Sequence, residues 1–292
     1  MQVKVLVEKF LSYCEKHRSP TTVRHYRSRL KCFQERFAEL EFADLSPIEV
    51  EEYLDEVNYF PDGRPKAPDT QRGNTVTIET LQNWALQRKI IPERVIGPLE
   101  KPASRFREVI PTEEQIDKIL SEGSREFRLI YSALLVSGAR PGELCKAQIS
   151  NIETSPQNPD LKLIVLHDHK TVRKTRKPRR ISIGRQLAAL IAESIGDRTE
   201  GPIFISPRGK PWTTQRLSQT FRTIRERLGL PKHLCLYLTR HQHASVITAE
   251  KGIYAASKSL GHASITTTQR YAKTNDEELV EIQDVYPLKR SA

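Results

Sequence analysis

Residues 260–271 read LGHASITTTQRY. The glycine at 261 is a helix stop, and His262 follows it in the turn. Nine residues after His262 stands Tyr271, next to Arg270. The stretch between them is short and reads as a brief helix that presents Tyr271. Taken alone, His262 is a turn histidine with its bonds satisfied and Tyr271 is a core aromatic. What these residues do depends on what the rest of the chain brings to them.

Three other segments bear on that question. SGARPGEL, residues 137–144, closes one helix at Gly138 and opens another at Pro141, with Arg140 in the turn. A guanidinium at a helix start adds its fork to free backbone N–H groups, which makes an anion site. KTVRKTRKPRRISI, residues 170–183, lies between the strand-like runs LKLIVLH and RRISI and reads as a hairpin. Seven of the eleven residues from Lys170 to Arg180 are basic and none is acidic, so the loop repels itself unless a polyanion meets it. A solvated turn is the plainer reading. YLTRHQHASV, residues 237–246, starts a helix near Arg240, with His241 and His243 close by.

The surroundings are those of a soluble, strongly basic protein. The 292 residues carry a net charge of +11, with 37% apolar and 28% charged side chains. A balance this basic points to nucleic acid, against the alternative of a merely basic surface. No apolar run is long enough for a membrane span. The N-terminal stretch mixes charge into its apolar residues and reads as an amphipathic helix, not a signal peptide. Cys14, Cys32, Cys145 and Cys235 form no CxxC pair, which fits free and mostly buried thiols in a reducing cytosol.

The first hundred residues read as helices. Ser19 and Pro20 open one, with a stripe of Val23, Tyr26, Leu30, Phe33 and Phe37. Arg24, Arg27 and Lys31 share another face, which meets either phosphates or solvent. Ser46 and Glu49 form a capping box ahead of Val50, Tyr53, Leu54 and Val57. Residues 74–91 give a further helix, with Ile78, Leu81, Trp84 and Ala85 inward. A Pro- and Gly-bearing stretch then breaks the period. The expected division is a helical domain at 1–95, a linker at 96–110 and a second domain at 111–292. The second domain opens with a Thr112–Gln115 capping box. The fold class is mainly α with a small β-hairpin, in two domains.

In this order and spacing the segments resemble the tyrosine recombinase (phage integrase) family. Its pattern is an arginine in ARpGEl, a lysine in a β-hairpin, HxxRH, then LGH and a tyrosine about nine residues later. Arg140, Lys174, Arg240, His262 and Tyr271 match it. Lys174 stands seven residues before Ile181, as in the family's KTgksRRvpl, and Lys170 is the alternative. The chain departs from the pattern at Tyr237, where the family usually has histidine. The resemblance covers the whole chain. It implies a core-binding (SAM-like) domain followed by a catalytic domain, a site-specific recombinase in the cytoplasm, and a homotetramer on paired double-stranded DNA sites.

The chemistry suits these residue types. Attack on a phosphodiester builds negative charge, which Arg140 and Arg240 can hold bidentately while His262 and Tyr237 donate. A phenol still gives one hydrogen bond, but not the partly cationic bond of an imidazole. Tyr271 attacks to give a 3′-phosphotyrosyl link, and the resemblance makes Lys174 the general acid for the departing 5′ oxygen. Arginine and lysine supply the charge, so no metal or cofactor is expected, and no GxxxxGK[ST] loop calls for ATP. Three alternatives stand beside this. One is a type IB topoisomerase. Another is a DNA-binding protein with a decayed site. The third is a metal nuclease using His167, His169, His241 and His243. Finally, residues 275–288 carry a helix-start signal and a stripe of Leu279, Ile282 and Tyr286. That stripe packs either on its own domain or on a neighbouring subunit.

Overall fold

The computed structural model describes residues 1–103, 110–168 and 177–271, with Arg270 by its backbone alone. The loop carrying Lys170 and Lys174 and the tail at 275–288 lie outside the described residues. The chain forms two compact units, Met1–Arg107 and Glu108–Ala292.

The first unit is helical: α1 (Val3–His17), α2 (Pro20–Arg36), α3 (Pro47–Val57) and α4 (Pro68–Gln87). Ser19 caps α2 by accepting from the Thr22 N–H at 3.2 Å, with Pro20 at the first position. The α2 stripe joins Leu6, Val7 and Phe10 of α1 and Ile78, Leu81 and Trp84 of α4 in one core. Helix α4 begins six residues earlier than the sequence pattern indicates, at Pro68, and runs through Gly73. A glycine there costs about 1 kcal/mol relative to alanine. The guanidinium of Arg29 fills the space a Cβ would need, and each large apolar side chain that α4 buries contributes about 1.5–3 kcal/mol.

This unit's core also continues past residue 95. Buried Gln82 accepts from the Val95 and Ile96 N–H groups at 3.0 and 2.7 Å and donates to the Ile96 carbonyl at 2.9 Å. Ile96 and Leu99 are buried against it, so the start of the stretch expected as linker is tied down by a buried amide.

The second unit contains α5 (Glu113–Glu122), α6 (Arg125–Ser137), α7 (Pro141–Lys146), α8 (Arg185–Ile195), α9 (Thr214–Arg227) and α10 (Leu238–Leu260). Its antiparallel sheet has the order β1 (Ile152–Thr154), β2 (Lys162–Leu166), β3 (Arg179–Ile183). The two strands read from sequence pair with Ile164 opposite Ile181; β1 is a third, too short to show a period. Helices α6, α8 and α9 enclose the core with the sheet, around Phe127, Tyr131, Leu134, Ile164, Ile181, Leu187, Phe204 and Phe221. Helix α10 is long and carries a non-helical residue, Gly252 (φ 77°), inside it. It stops at Gly261 (φ 63°), as the sequence indicates. The four cysteines are free, with Cys14 and Cys145 buried but Cys32 exposed.

Candidate active site

Arg240 organises the site. It lies in the first turn of α10 and is 1% exposed. Its Nη1 donates to the Gly138 carbonyl at 2.7 Å and its Nη2 to the Leu260 carbonyl at 2.8 Å. Gly138 ends α6, just before Arg140; Leu260 ends α10, just before Gly261 and His262. One guanidinium therefore ties the SGARPGEL turn to the LGH turn, 122 positions apart in numbering from 138 to 260. Burial, and then the like charge of Arg140, lowers its pKa to about 10. It stays cationic at neutral pH.

Arg140 occupies the N-cap position of α7. Its backbone N–H and its Nη1 donate to the two carboxylate oxygens of Glu143, at 2.9 and 2.7 Å. Among the described residues Arg140 uses only Nη1 of its guanidinium, which leaves Nε and Nη2 for an anion. Glu143 is buried and also faces Arg179, at 3.7 Å. Burial pushes the Glu143 pKa up, but the Arg140 N–H bond and the charges of Arg179 and Arg140 outweigh it. The carboxylate is held below its usual range. Two guanidiniums on one carboxylate, with the Arg240 guanidinium in addition, leave the site cationic, as an electrophilic phosphate site requires.

Arg179 opens β3, the strand read as RRISI, but its charge does not join a cationic surface. It is buried on β3, on the same face as Ile181, and donates to the Ser259 carbonyl at 2.8 Å. Its guanidinium stands against Gly261, 2.5 Å from where a Cβ would lie. Arg179 thus braces the LGH turn.

His262 is fixed by its backbone N–H to the Ser257 carbonyl (3.0 Å) and by Nδ1 to Thr268 Oγ1 (2.7 Å). Thr268 is fully buried between two single-turn 3₁₀ helices, Ile265–Thr267 and Gln269–Tyr271. These replace the one short helix read from SITTTQRYA. The Tyr271 hydroxyl lies 2.8 Å from His241 Nδ1. The His241 ring packs between two phenols, edge-on to Tyr237 at 5.3 Å and to Tyr271 at 5.5 Å. Tyr237 sits at the N-cap of α10, 45% exposed. His243 points elsewhere, to the Leu135 carbonyl (3.0 Å) and Ser259 Oγ (2.8 Å). Burial lowers its pKa, and its ring fills the space beside Gly138.

The described part of the site thus gathers Arg140, Tyr237, Arg240, His262 and Tyr271 on α7, α10 and the turns after it. Lys174 and Lys170 lie outside the described residues. Arg24, Arg27 and Lys31 are exposed on α2 in the other unit; Arg27 pairs with Glu15 at 2.5 Å and Lys31 with Glu35 at 3.9 Å. His169 is not described, and among the described residues no group of three or more His, Cys, Asp or Glu converges as a metal site.

Residues 111–278, more than half of the sequence, match the model of the phage integrase family. The chain belongs to the phage integrase family. It is a tyrosine recombinase, an enzyme that cuts and rejoins DNA strands through a phosphotyrosyl link. Among its relatives is a tyrosine recombinase XerC of Leptospira interrogans, 26% identical over 94% of this chain and 90% of that protein. Its fold is similar to that of the Tn1549 transposon integrase in complex with transposon right end DNA. There the TM-score is 0.78 at 16% identity, over 98% of this chain and 99% of that one. A lambda integrase tetramer bound to a Holliday junction matches with TM-score 0.74 and 16% identity, over 94% of this chain and 80% of that one.

Proposed function

We propose that this recombinase cleaves DNA with Tyr271 as nucleophile, and that Arg140 and Arg240 hold the nonbridging oxygens of the scissile phosphate. The observation that carries this is the pair of hydrogen bonds that the buried Arg240 guanidinium donates to the Gly138 and Leu260 carbonyls. It brings the Arg140 and His262 turns to one point, and Tyr271 is hydrogen-bonded to the next residue of the same helix. His262, held in its turn by the Nδ1 contact to Thr268 Oγ1, is the further imidazole donor to a phosphate oxygen. Tyr237, exposed at the helix start, can add one neutral bond.

Lys174 is assigned as general acid from the sequence resemblance, and Lys170, Arg24, Arg27 and Lys31 as phosphate contacts. The exposed ion pairs of Arg27 and Lys31 are each worth at most about 1 kcal/mol, so they yield readily to a polyanion. The lambda integrase tetramer on a Holliday junction supports a homotetramer on paired double-stranded sites. We place the enzyme in the cytoplasm, by its likeness to the XerC recombinases. The division into a core-binding domain and a catalytic domain follows the two compact units.

The test is Tyr271→Phe on a nicked suicide substrate, read on a denaturing gel. The variant should bind DNA like the parent and give no covalent band, because only the phenolic oxygen is gone. A full-strength band would remove Tyr271 from the role.

A further inference from the structure

We propose that His241 is the general base that takes the proton from Tyr271 during strand cleavage. The inference rests on Tyr271 being the nucleophile. A phenol ionises near pH 10, so at neutral pH its oxygen attacks a phosphate well only if a base removes the proton as the bond forms. The histidines and the second phenol of this site differ in their availability for that task.

His243 is buried, with both ring nitrogens bonded to Leu135 and Ser259. His262 directs Nδ1 to Thr268 Oγ1. Tyr237 is itself a phenol and has no ring nitrogen to accept the proton. His241 alone among these has a ring nitrogen within hydrogen-bond distance of the Tyr271 hydroxyl, at 2.8 Å. It lies four residues after Tyr237, on the same face of α10, and the two rings touch. The imidazole next to the reacting phenol is therefore one helical turn along from position 237.

With its proton on Nε2, His241 accepts from the Tyr271 O–H at Nδ1. In the forward step the Tyr271 oxygen bonds to phosphorus and the bond from phosphorus to the 5′ oxygen breaks. The phenolic proton passes to His241, giving an imidazolium. The leaving oxygen keeps the bonding pair and takes a proton from the general acid. Rejoining reverses each transfer, and the imidazolium returns its proton to the tyrosine. The cationic neighbours, Arg240 beside it on α10 and Arg140 from α7, stabilise the phenolate that forms. Glu143 is taken up by Arg140 and Arg179 and does not compete as base.

The test uses the full chain and a suicide substrate with sulfur at the 5′ bridging position. A thiolate leaves without a proton, so the general acid drops out of the rate. Single-turnover cleavage at saturating DNA is followed from pH 5 to 9 for wild type, His241→Asn and His262→Asn. The amide oxygen of Asn can hold the phenolic O–H but cannot keep its proton. Wild type should show an acid limb as His241 titrates. His241→Asn should cleave roughly 100- to 10,000-fold more slowly with that limb gone, while binding DNA and melting like the parent. His262→Asn should keep the limb. A His241→Asn rate within threefold of wild type, or a slow rate that retains the limb, overturns the proposal. So does loss of the limb in His262→Asn alone. A covalent band from Tyr271→Phe would instead overturn the nucleophile and, with it, the base.

Discussion

Replacing Glu143 by glutamine keeps the shape of a buried side chain and removes its charge. The carboxylate is bonded twice by Arg140, at 2.7 and 2.9 Å, and faces Arg179 at 3.7 Å. Arg179 is itself buried, and its pKa is lowered first by that burial while Glu143 holds it up. Breaking a buried pair by removing one partner costs about 3–5 kcal/mol. The glutamine carbonyl retains a neutral bond to Arg140 worth about 1 kcal/mol. The expected loss is therefore about 2–4 kcal/mol, or about 4–15 °C in the melting of a unit this size. The two tryptophans fall one in each unit, Trp84 and Trp212, and both are buried. In a Trp84→Phe background, Trp212 fluorescence reports the second unit alone.

The pH dependence of that loss has a definite sign. Glu143 has a depressed folded pKa, so its contribution is complete above the unfolded value near pH 4. It is lost as pH falls through the folded value, where the two proteins should converge. A Trp212 midpoint unchanged within 1 °C at pH 7 would refute the reasoning.

Gly261→Ala should destabilise by at least about 2 kcal/mol, because it combines a left-handed φ of 63° with a Cβ 2.5 Å from Arg179. Gly209→Ala, with φ 68° and open space around it, should cost only about 1 kcal/mol, and urea melts of both separate strain from crowding. His243 is held neutral mainly by burial, so its folded pKa lies below the unfolded value of about 6.5. Stability of the wild type should therefore fall as pH drops below about 6.5, and His243→Gln should remove that slope in pH-dependent melts.

Much of this was legible in the sequence where local chemistry decides structure. Ser19, Ser46 and Thr112 cap the helices they were expected to cap, and Gly138 and Gly261 end theirs with positive φ. Strands β2 and β3 followed from their β-branched runs. What escaped depends on distant partners. The early start of α4 requires Arg29 beside Gly73, and the hold on Ile96 requires a buried glutamine 14 residues back. Arg179 was counted with the exposed basic charges, although alternation along β3 already sets it on the inward face with Ile181. Glu143 stands three residues after Arg140 at capping-box spacing, a signal that could have found it. His241 stood out in the sequence beside Arg240, but nothing local tied it to Tyr271, which lies 30 residues away.

The central claim is that Tyr271 carries the DNA. Trapped adduct from the suicide substrate, digested with nuclease and protease, can be sequenced by tandem mass spectrometry. The expected result is a single nucleotide-bearing peptide, with the phosphate on Tyr271. The modification on Tyr237, the other phenol against His241, or on any other residue would contradict it.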